Sequence, residues 1–406
     1  MKKVFLGLTL LAVLAMPFTA KAQMNPIITS MPSLSIAPDA RSGGMGDVGA
    51  ATAPDLNSQH WNPAKYAFME SHGGITGNYT PWLRKIVQGI DLAYLAGYYT
   101  ISEQAGTISA AFTYFTMGDV QLTDLNGTFL QMAHPNEWAI DLAYSRKLHE
   151  YVSMSVALRF LYSDLNNGTN AMAGGSEMYP GMTAAADVAL YYRQPIEIGS
   201  GTSYFGLGLD ISNLGGKISY DQNVTQHFIP ANLRIGASYE IPFDNYNSLS
   251  INADINKYLV PTRNNKFAVD ANGNPLTGEA LTNWYSELSS PRGWFMSFCD
   301  APGYYDDIKQ KQISPAVEEL QEIQFGIGAE YSYDKKFFAR VGYSHENKWK
   351  GNRRYATVGA GFHLSIFSLD VAYVIATVAS NPLDQTLRFT MGFDLAGIKD
   401  LINNKK

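Results

Sequence analysis

The sequence predicts an all-β fold, a 14-stranded antiparallel transmembrane β-barrel, on three observations. Segments alternating apolar and polar residues recur from about Glu70 to Leu395, and the gaps between them are by turns tight and long. The chain is also poor in charge, with 16% Asp, Glu, Lys and Arg where soluble domains carry about 25%, and it is rich in aromatics, with 25 Tyr and 20 Phe.

The chain opens with an export signal. Lys2 and Lys3 precede an apolar run from Val4 to Phe18, and Ala20-Lys21-Ala22 supplies the small residues that signal peptidase requires. Residues 1–22 are therefore read as a signal peptide and Gln23 as the mature start. The residue after the cut is not cysteine, which argues against a lipid anchor. No later run reaches the roughly 18 apolar residues of a membrane helix, so the exported chain is either soluble or spans as strands.

Periodicity selects strands in a membrane. Val152, Met154, Val156, Leu158, Phe160 and Tyr162 share one face of a strand, and Ser153, Ser155, Ala157 and Arg159 share the other. The same split recurs in Leu249 to Asn256, Phe205 to Ser212 and Leu387 to Asp394. Fourteen such segments fall near 70–80, 87–100, 105–117, 136–148, 151–163, 181–194, 203–213, 231–241, 247–258, 321–333, 336–346, 354–364, 367–378 and 385–395. Gaps at Glu103, His149, Asp334 and Ser365 are tight. Gly118 to Pro135, Asp164 to Pro180, Leu214 to Pro230 and above all Leu259 to Leu320 are long. Short periplasmic turns and long outer loops produce this two-beat spacing, and an even strand count predicts that both termini lie in the periplasm.

Residues 23–69 precede the first strand and are rich in Ala, Gly, Pro and Asn. They form either a periplasmic tail or a plug in the lumen, and the polar strand faces favour the plug. A barrel domain then covers 70–395, and 396–406 form a polar C-terminal tail. Cys299 has no partner for an internal disulfide and is read as a buried small side chain.

Few motifs carry chemistry. Gly44-Met45-Gly46-Asp47-Val48-Gly49 matches a dinucleotide fingerprint by letter, but Pro38 and Pro54 deny it the strand and helix it needs, so tight backbone packing is the better reading. His149-Glu150 and His345-Glu346 lack the second histidine of a zinc helix. Gly342-Tyr343-Ser344-His345-Glu346 lacks the final glycine of a nucleophile elbow, and neighbours on a strand face opposite ways. Asp306-Asp307 and Glu318-Glu319 are read as solvated loop charge. The histidines at 60, 72, 134, 149, 227, 345 and 363 are scattered. No catalytic, metal or cofactor site is predicted, and a formal net charge of -6 gives no reason to expect nucleic acid.

The long connection from Leu259 to Leu320 is the candidate binding element. It holds Trp284, Tyr285, Trp294, Phe295, Phe298, Tyr304 and Tyr305, and Tyr and Trp are favoured interface anchors. A lid packed on the barrel mouth is the alternative, and the two are compatible.

The N-terminal stretch Ala40-Arg41-Ser42-Gly43-Gly44-Met45-Gly46-Asp47-Val48-Gly49-Ala50, followed by Gln59-His60-Trp61-Asn62-Pro63-Ala64-Lys65, resembles the start of FadL-like outer-membrane barrels. There a Gly-Met-Gly segment leads to an Asn-Pro-Ala motif just before the first strand. Within that group the sequence is similar to the PorV family, also called LptO, of the type IX secretion system. The resemblance implies fourteen strands and an N-terminal hatch carrying Gly44, Met45, Gly46, Trp61, Asn62, Pro63 and Ala64.

It also implies a non-enzymatic role. Such proteins associate with the Sov/SprA translocon barrel, take cargo by its C-terminal signal domain, and pass it to a surface complex of PorU, PorQ and PorZ, amid outer-membrane lipid and lipopolysaccharide. Transport of hydrophobic solutes is the second implication and lipid A remodelling the third. Two departures stand out. Lys65 replaces the glycine that many members carry after Asn-Pro-Ala, and the chain runs past Phe393 where many barrels end on an aromatic residue.

Overall fold

The structure is a computed structural model that describes residues 25–395, apart from 86, 124–125, 167–171, 174–175, 223, 307–308, 365, 379–380 and 382. The signal segment 1–22 and the tail 396–406 lie outside the described residues. The barrel strands are β1 Gly73–Pro81, β2 Ile90–Ser102, β3 Gly106–Met117, β4 Asn136–His149, β5 Val152–Asp164, β6 Gly181–Ile198 and β7 Gly201–Gly215. They continue as β8 Asn232–Pro242, β9 Asn247–Tyr258, β10 Gln324–Tyr333, β11 Phe337–His345, β12 Arg354–His363, β13 Phe367–Ala376 and β14 Leu387–Asp394.

Each strand pairs antiparallel with its sequence neighbours, and β1 closes the ring on β14 with Ile75 opposite Phe393 and Tyr79 opposite Phe389. All fourteen predicted segments are strands of this ring. No helix among the described residues is long and apolar enough to cross a membrane.

The burial pattern is inverted relative to a water-soluble protein. On β5, Val156, Leu158 and Phe160 are exposed, Leu158 by 66%, whereas Ser153 and Ser155 are buried, as is Arg159. Strand β9 repeats this with Ile251 and Ile255 outside and Asn252 and Asp254 inside. An outward oily face and an inward polar face suit a ring in lipid. The connections at 103–105, 150–151, 199–200, 243–246 and 334–336 are tight and share one end, while Ser365, at the remaining tight gap, lies outside the described residues. The long connections share the other.

The residues before β1 thread the ring. Asn25, at the start of the described chain, lies at the long-loop end, where its side-chain amide donates to Asn264 O and to Glu318 Oε1, both at 3.2 Å. From there the segment runs through the lumen to the tight-turn end, where β1 begins. The described chain thus begins, at Asn25, at the end opposite to the one where β14 stops. An even strand count fixes only where β1 starts and β14 stops, and the stretch before β1 is long enough to cross the lumen.

Contacts with this segment come from around the ring. Asn78 of β1 donates to Asn57 Oδ1 (2.8 Å), Tyr98 of β2 stacks on Tyr66 (4.9 Å between centroids), and Ser109 of β3 donates to Gln59 Oε1 (2.6 Å). Ser145 of β4 donates to Pro63 O (2.8 Å), Ser153 of β5 to Ala64 O (2.6 Å) and Ser238 of β8 to Ala51 O (2.6 Å). Asp254 of β9 accepts the amides of Gly49 (2.7 Å) and Ala50 (2.9 Å). Thr357 of β12 accepts from Gly46 N (2.9 Å), and Thr390 of β14 accepts from Ala40 N (2.8 Å).

Charge fixes one side. Of the segment's two short helices, α1 Ala40–Gly43 and α2 Ser58–Trp61, the first is capped by Asp39, which accepts from Ser42 N at 2.8 Å. Arg41 forks to both oxygens of Glu330, at 3.1 and 2.8 Å, and reaches Asp55 at 2.8 Å. Arg340 joins Glu330 to Asp370, each at 2.6 Å, and Arg388 meets Asp47 at 2.5 Å.

Two outcomes follow. Replacing Arg41 with Ala leaves Asp55 and part of Glu330 uncompensated where water is scarce, a loss on the order of 3–5 kcal/mol for breaking a buried pair. Amide exchange over residues 39–55 should rise while exchange in β2 to β7 stays unchanged. A Cβ on Gly342 would sit 2.1 Å from Met45 C, so Gly342→Leu should expel the Met45–Gly46 backbone, read as new protease cleavage before residue 66 in a ring that still assembles.

Candidate docking surface and lumenal segment

The long connection after β9 folds on itself. Its residues form helices α3 Gly278–Glu287, α4 Ser290–Met296 and α5 Pro315–Gln321, with a hairpin pairing Tyr304–Asp306 to Lys311–Ile313. In α3, Leu281, Trp284, Tyr285 and, just past its end, Leu288 recur at spacings of three and four, which puts them on one face. That face packs with Phe228, Val260, Tyr258, Met296 and Ile27. The sequence reading assigned no helix here. The missed signals were this spacing and the helix starts Ser289-Ser290-Pro291 and Ser314-Pro315, where proline occupies the first turn.

The seven aromatics divide by role. Trp284 and Tyr285 belong to the loop's own core, with Tyr285 donating its hydroxyl to Pro261 O (3.0 Å) and meeting Phe228 edge-on at 5.1 Å. Burial raises the Tyr285 phenol above its ordinary range, with the nearby Asp300 adding to the effect. Tyr304 donates to Gln321 Oε1 (2.9 Å) and lies against Trp349, and Trp294 is half-buried. Phe295, Phe298 and Tyr305 project, exposed by 78%, 49% and 46%.

Lys217, just past β7, pins α3 from outside the loop. Its ammonium donates to Tyr285 O (2.8 Å) and Ser286 O (2.9 Å) and sits over Phe228 at 4.2 Å, and burial pulls its pKa down to about 8. The sequence reading did not single it out, and a lone lysine after a strand carries no signal for such a contact. More apolar side chains project at this end, including Val224 at 78% and Leu320 at 65%.

Two expectations about this loop are corrected. Cys299 is exposed, because the turn after α4 sends Ser297 and Asp300 inward and leaves Cys299 facing out. Glu318 and Asp306 are buried, at 0% and 2% exposure. Glu318 meets Lys350 at 2.8 Å, a partner from the β11–β12 connection that local sequence could not foretell. Asp307 lies outside the described residues.

The motif residues of the lumenal segment are all buried. Asn62 Oδ1 accepts from Ala64 N (3.0 Å), capping a 3-10 turn that starts at Pro63, while its Nδ2 donates to Ala50 O (3.0 Å) and to Leu190 O of β6 (2.9 Å). One side chain thus joins the turn, the segment and the wall. Trp61 Nε1 donates to Asp39 Oδ1 (2.6 Å), and its ring lies under the Arg234 guanidinium at 4.7 Å.

Gly44, Met45 and Gly46 run against strand glycines. Gly46 has φ +76°, and a Cβ there would lie 2.7 Å from the Tyr343 backbone. Lys65 is fully buried and donates to Gly49 O (2.9 Å) and Thr52 Oγ1 (3.0 Å), so the departure from glycine serves to bind the segment to itself.

The segment lies between two cavities. The one toward the long loops is about 100 Å³ and polar, with His60, Asp141, Arg159, Asn213 and Arg234 in its wall. The one toward the tight turns is about 610 Å³ and is bordered by Arg41, Asp55, Arg193, Glu240, His363 and Asp394.

Comparison with known proteins places the chain. The toluene transporter TodX of Pseudomonas putida aligns with 91% of this chain and 99% of its own at a TM-score of 0.50 and 9% identity, a likeness of fold. The toluene transporter TbuX of Ralstonia pickettii aligns with 87% of this chain and 96% of its own at 0.46 and 13% identity. A FadL homologue of Pseudomonas aeruginosa aligns with 92% of this chain and 100% of its own at 0.39 and 12% identity. No curated protein matches the sequence. Residues 19–265, more than half of the chain, match the family described as Type IX secretion system protein PorV. The chain is accordingly a member of the PorV family of type IX secretion proteins, built as a closed fourteen-stranded β-barrel.

Proposed function

We propose that this barrel is a non-catalytic carrier in the type IX system, binding the C-terminal signal domain of cargo at the Sov/SprA translocon and passing it to an attachment complex of PorU, PorQ and PorZ. Family membership supports the system. The observation that carries the finer reading is the division of the loop aromatics. Trp284 and Tyr285 satisfy the loop's own core, so Phe295, Phe298 and Tyr305 are left over for a partner. Exposed aromatics on a structured base resemble the anchors of protein interfaces, since little further ordering is lost on binding.

In this reading the long-loop end faces outward, the tight turns and the end of β14 face the periplasm, and lipid with lipopolysaccharide surrounds the outward apolar faces. Residues 23–69 act as a hatch, and the ring holds the membrane while its rim holds protein. Hydrophobic-solute transport has less support, because the cavity nearest the loops is about 100 Å³, below the roughly 300–1,000 Å³ of drug-sized ligand sites, and the larger one of about 610 Å³ lies toward the tight turns and is bordered by Arg41, Asp55, Arg193, Glu240 and Asp394.

Joint replacement of Phe295, Phe298 and Tyr305 by Ala should leave a heat-modifiable barrel in the outer membrane but lower its co-purification with signal-domain proteins at least tenfold. Removing three exposed anchors at about 1 kcal/mol or more each accounts for that loss. Undiminished capture of cargo by this variant would refute the assignment of the rim.

A further inference from the structure

Beneath the projecting aromatics lies a group of carboxylates that docking does not use. Asp300, Glu319 and Glu322 each place an oxygen within 4.8 Å of the other two. Glu318 adjoins them through Lys350, whose ammonium meets Glu318 at 2.8 Å and Glu322 at 3.0 Å. Lys257 supplies the other ammonium, 2.6 Å from Glu322 and 3.5 Å from Glu319. Four carboxylates therefore face two ammonium groups, and two negative charges are left over. Asp300 and Glu318 are both 0% exposed, so water offers these charges little relief.

Polar oxygens at the same place also lack partners. Asp300 Oδ2 accepts from Thr262 N (2.9 Å) and Asn265 Nδ2 (2.6 Å), but Asp300 Oδ1 has no hydrogen-bond partner. The hydroxyl of Thr262, likewise 0% exposed, has none either. A buried carboxylate oxygen and a buried hydroxyl, on residues already joined through Thr262 N and Asp300 Oδ2, are costly to leave unsatisfied unless something else binds them.

We infer that Asp300, Glu319 and Glu322, with the Thr262 hydroxyl beside them, form a site for a hard divalent cation of the calcium class. The donors are all oxygen, as calcium prefers, and the carboxylates around the site outnumber the ammonium groups. Separations of no more than 4.8 Å lie within what two ligands can reach across an ion with bonds of about 2.4 Å, in the calcium range. The site joins distant pieces of chain, since Thr262 follows β9, Asp300 follows α4, and Glu319 and Glu322 belong to α5 and its end. Through Glu318, it also borders Asn25. Bound cation would fasten the loop base and the start of the chain together, whatever the loop carries.

The test uses the full mature chain, free of lipopolysaccharide, in detergent, stripped with EDTA and titrated calorimetrically with CaCl2 and separately with MgCl2. One saturable calcium site is expected, with a dissociation constant on the order of 10⁻⁴–10⁻³ M, the range of extracellular calcium modules. Asp300→Asn should weaken it at least tenfold and Thr262→Val more mildly, while Asp270→Asn, at an exposed acid of the same loop, should leave it unchanged.

Thermal melts add a readout that a purely structural role would not move. Without calcium, Asp300→Asn should melt above the parent chain, because one unmatched charge is gone; with saturating calcium, the order should reverse. Absence of saturable binding up to about 10 mM of either ion, or equal calcium binding by the parent and Asp300→Asn, would overturn the site. Should Asp300→Asn fail to assemble, the comparison of Thr262→Val with Asp270→Asn decides in the same way.

Discussion

The pairing of β1 with β14 is the constraint on which the rest of this molecule depends. In hydrocarbon no water is present to satisfy a free amide or carbonyl, and each one left bare costs several kcal/mol, so a sheet survives there only when its edges meet. Closure then sorts the side chains. Positions facing lipid become Val, Leu, Ile and Phe, and positions facing the lumen become Ser, Asn, Asp and Arg, so that the ring is oily outside and polar within.

A polar interior creates the next requirement. Arg159, Arg340 and Arg388 are almost entirely buried, and charges so placed must be paired. The threaded segment supplies part of the pairing, with Arg41 to Glu330 and Asp47 to Arg388, while the wall supplies the rest, with Arg159 to Asp187 at 2.9 Å. Segment and wall complete each other, and the inward glycines of β7, β8, β10 and β11 mark where its backbone passes.

The ring was legible in sequence because lipid and lumen impose opposite demands on alternate residues, and that alternation survives over eight or more positions. Strand β5 differs from its expected span by a single residue at each end. The helices of the long loop were harder to see, for they span seven to ten residues and their apolar face is filled partly by Ile27 and Phe228, far away in the chain. Ion-pair partners were illegible for the same reason. Glu318 looks like an ordinary surface acid until Lys350 and Asn25 are brought beside it. Among the candidate residues, sequence identified the aromatics as a set, but only the packing divides those that hold the loop together from those that project.

The path of the first residues has a consequence for biogenesis. Asn25 sits at one rim and β1 starts at the other, so the intervening chain occupies the bore as a thread occupies a bead. A cylinder zipped shut beforehand would oblige that strand of polypeptide to be pushed through a hole already lined with its own charged partners. The simpler order is for the staves to gather around the thread and for the β1–β14 seam to be the last to form.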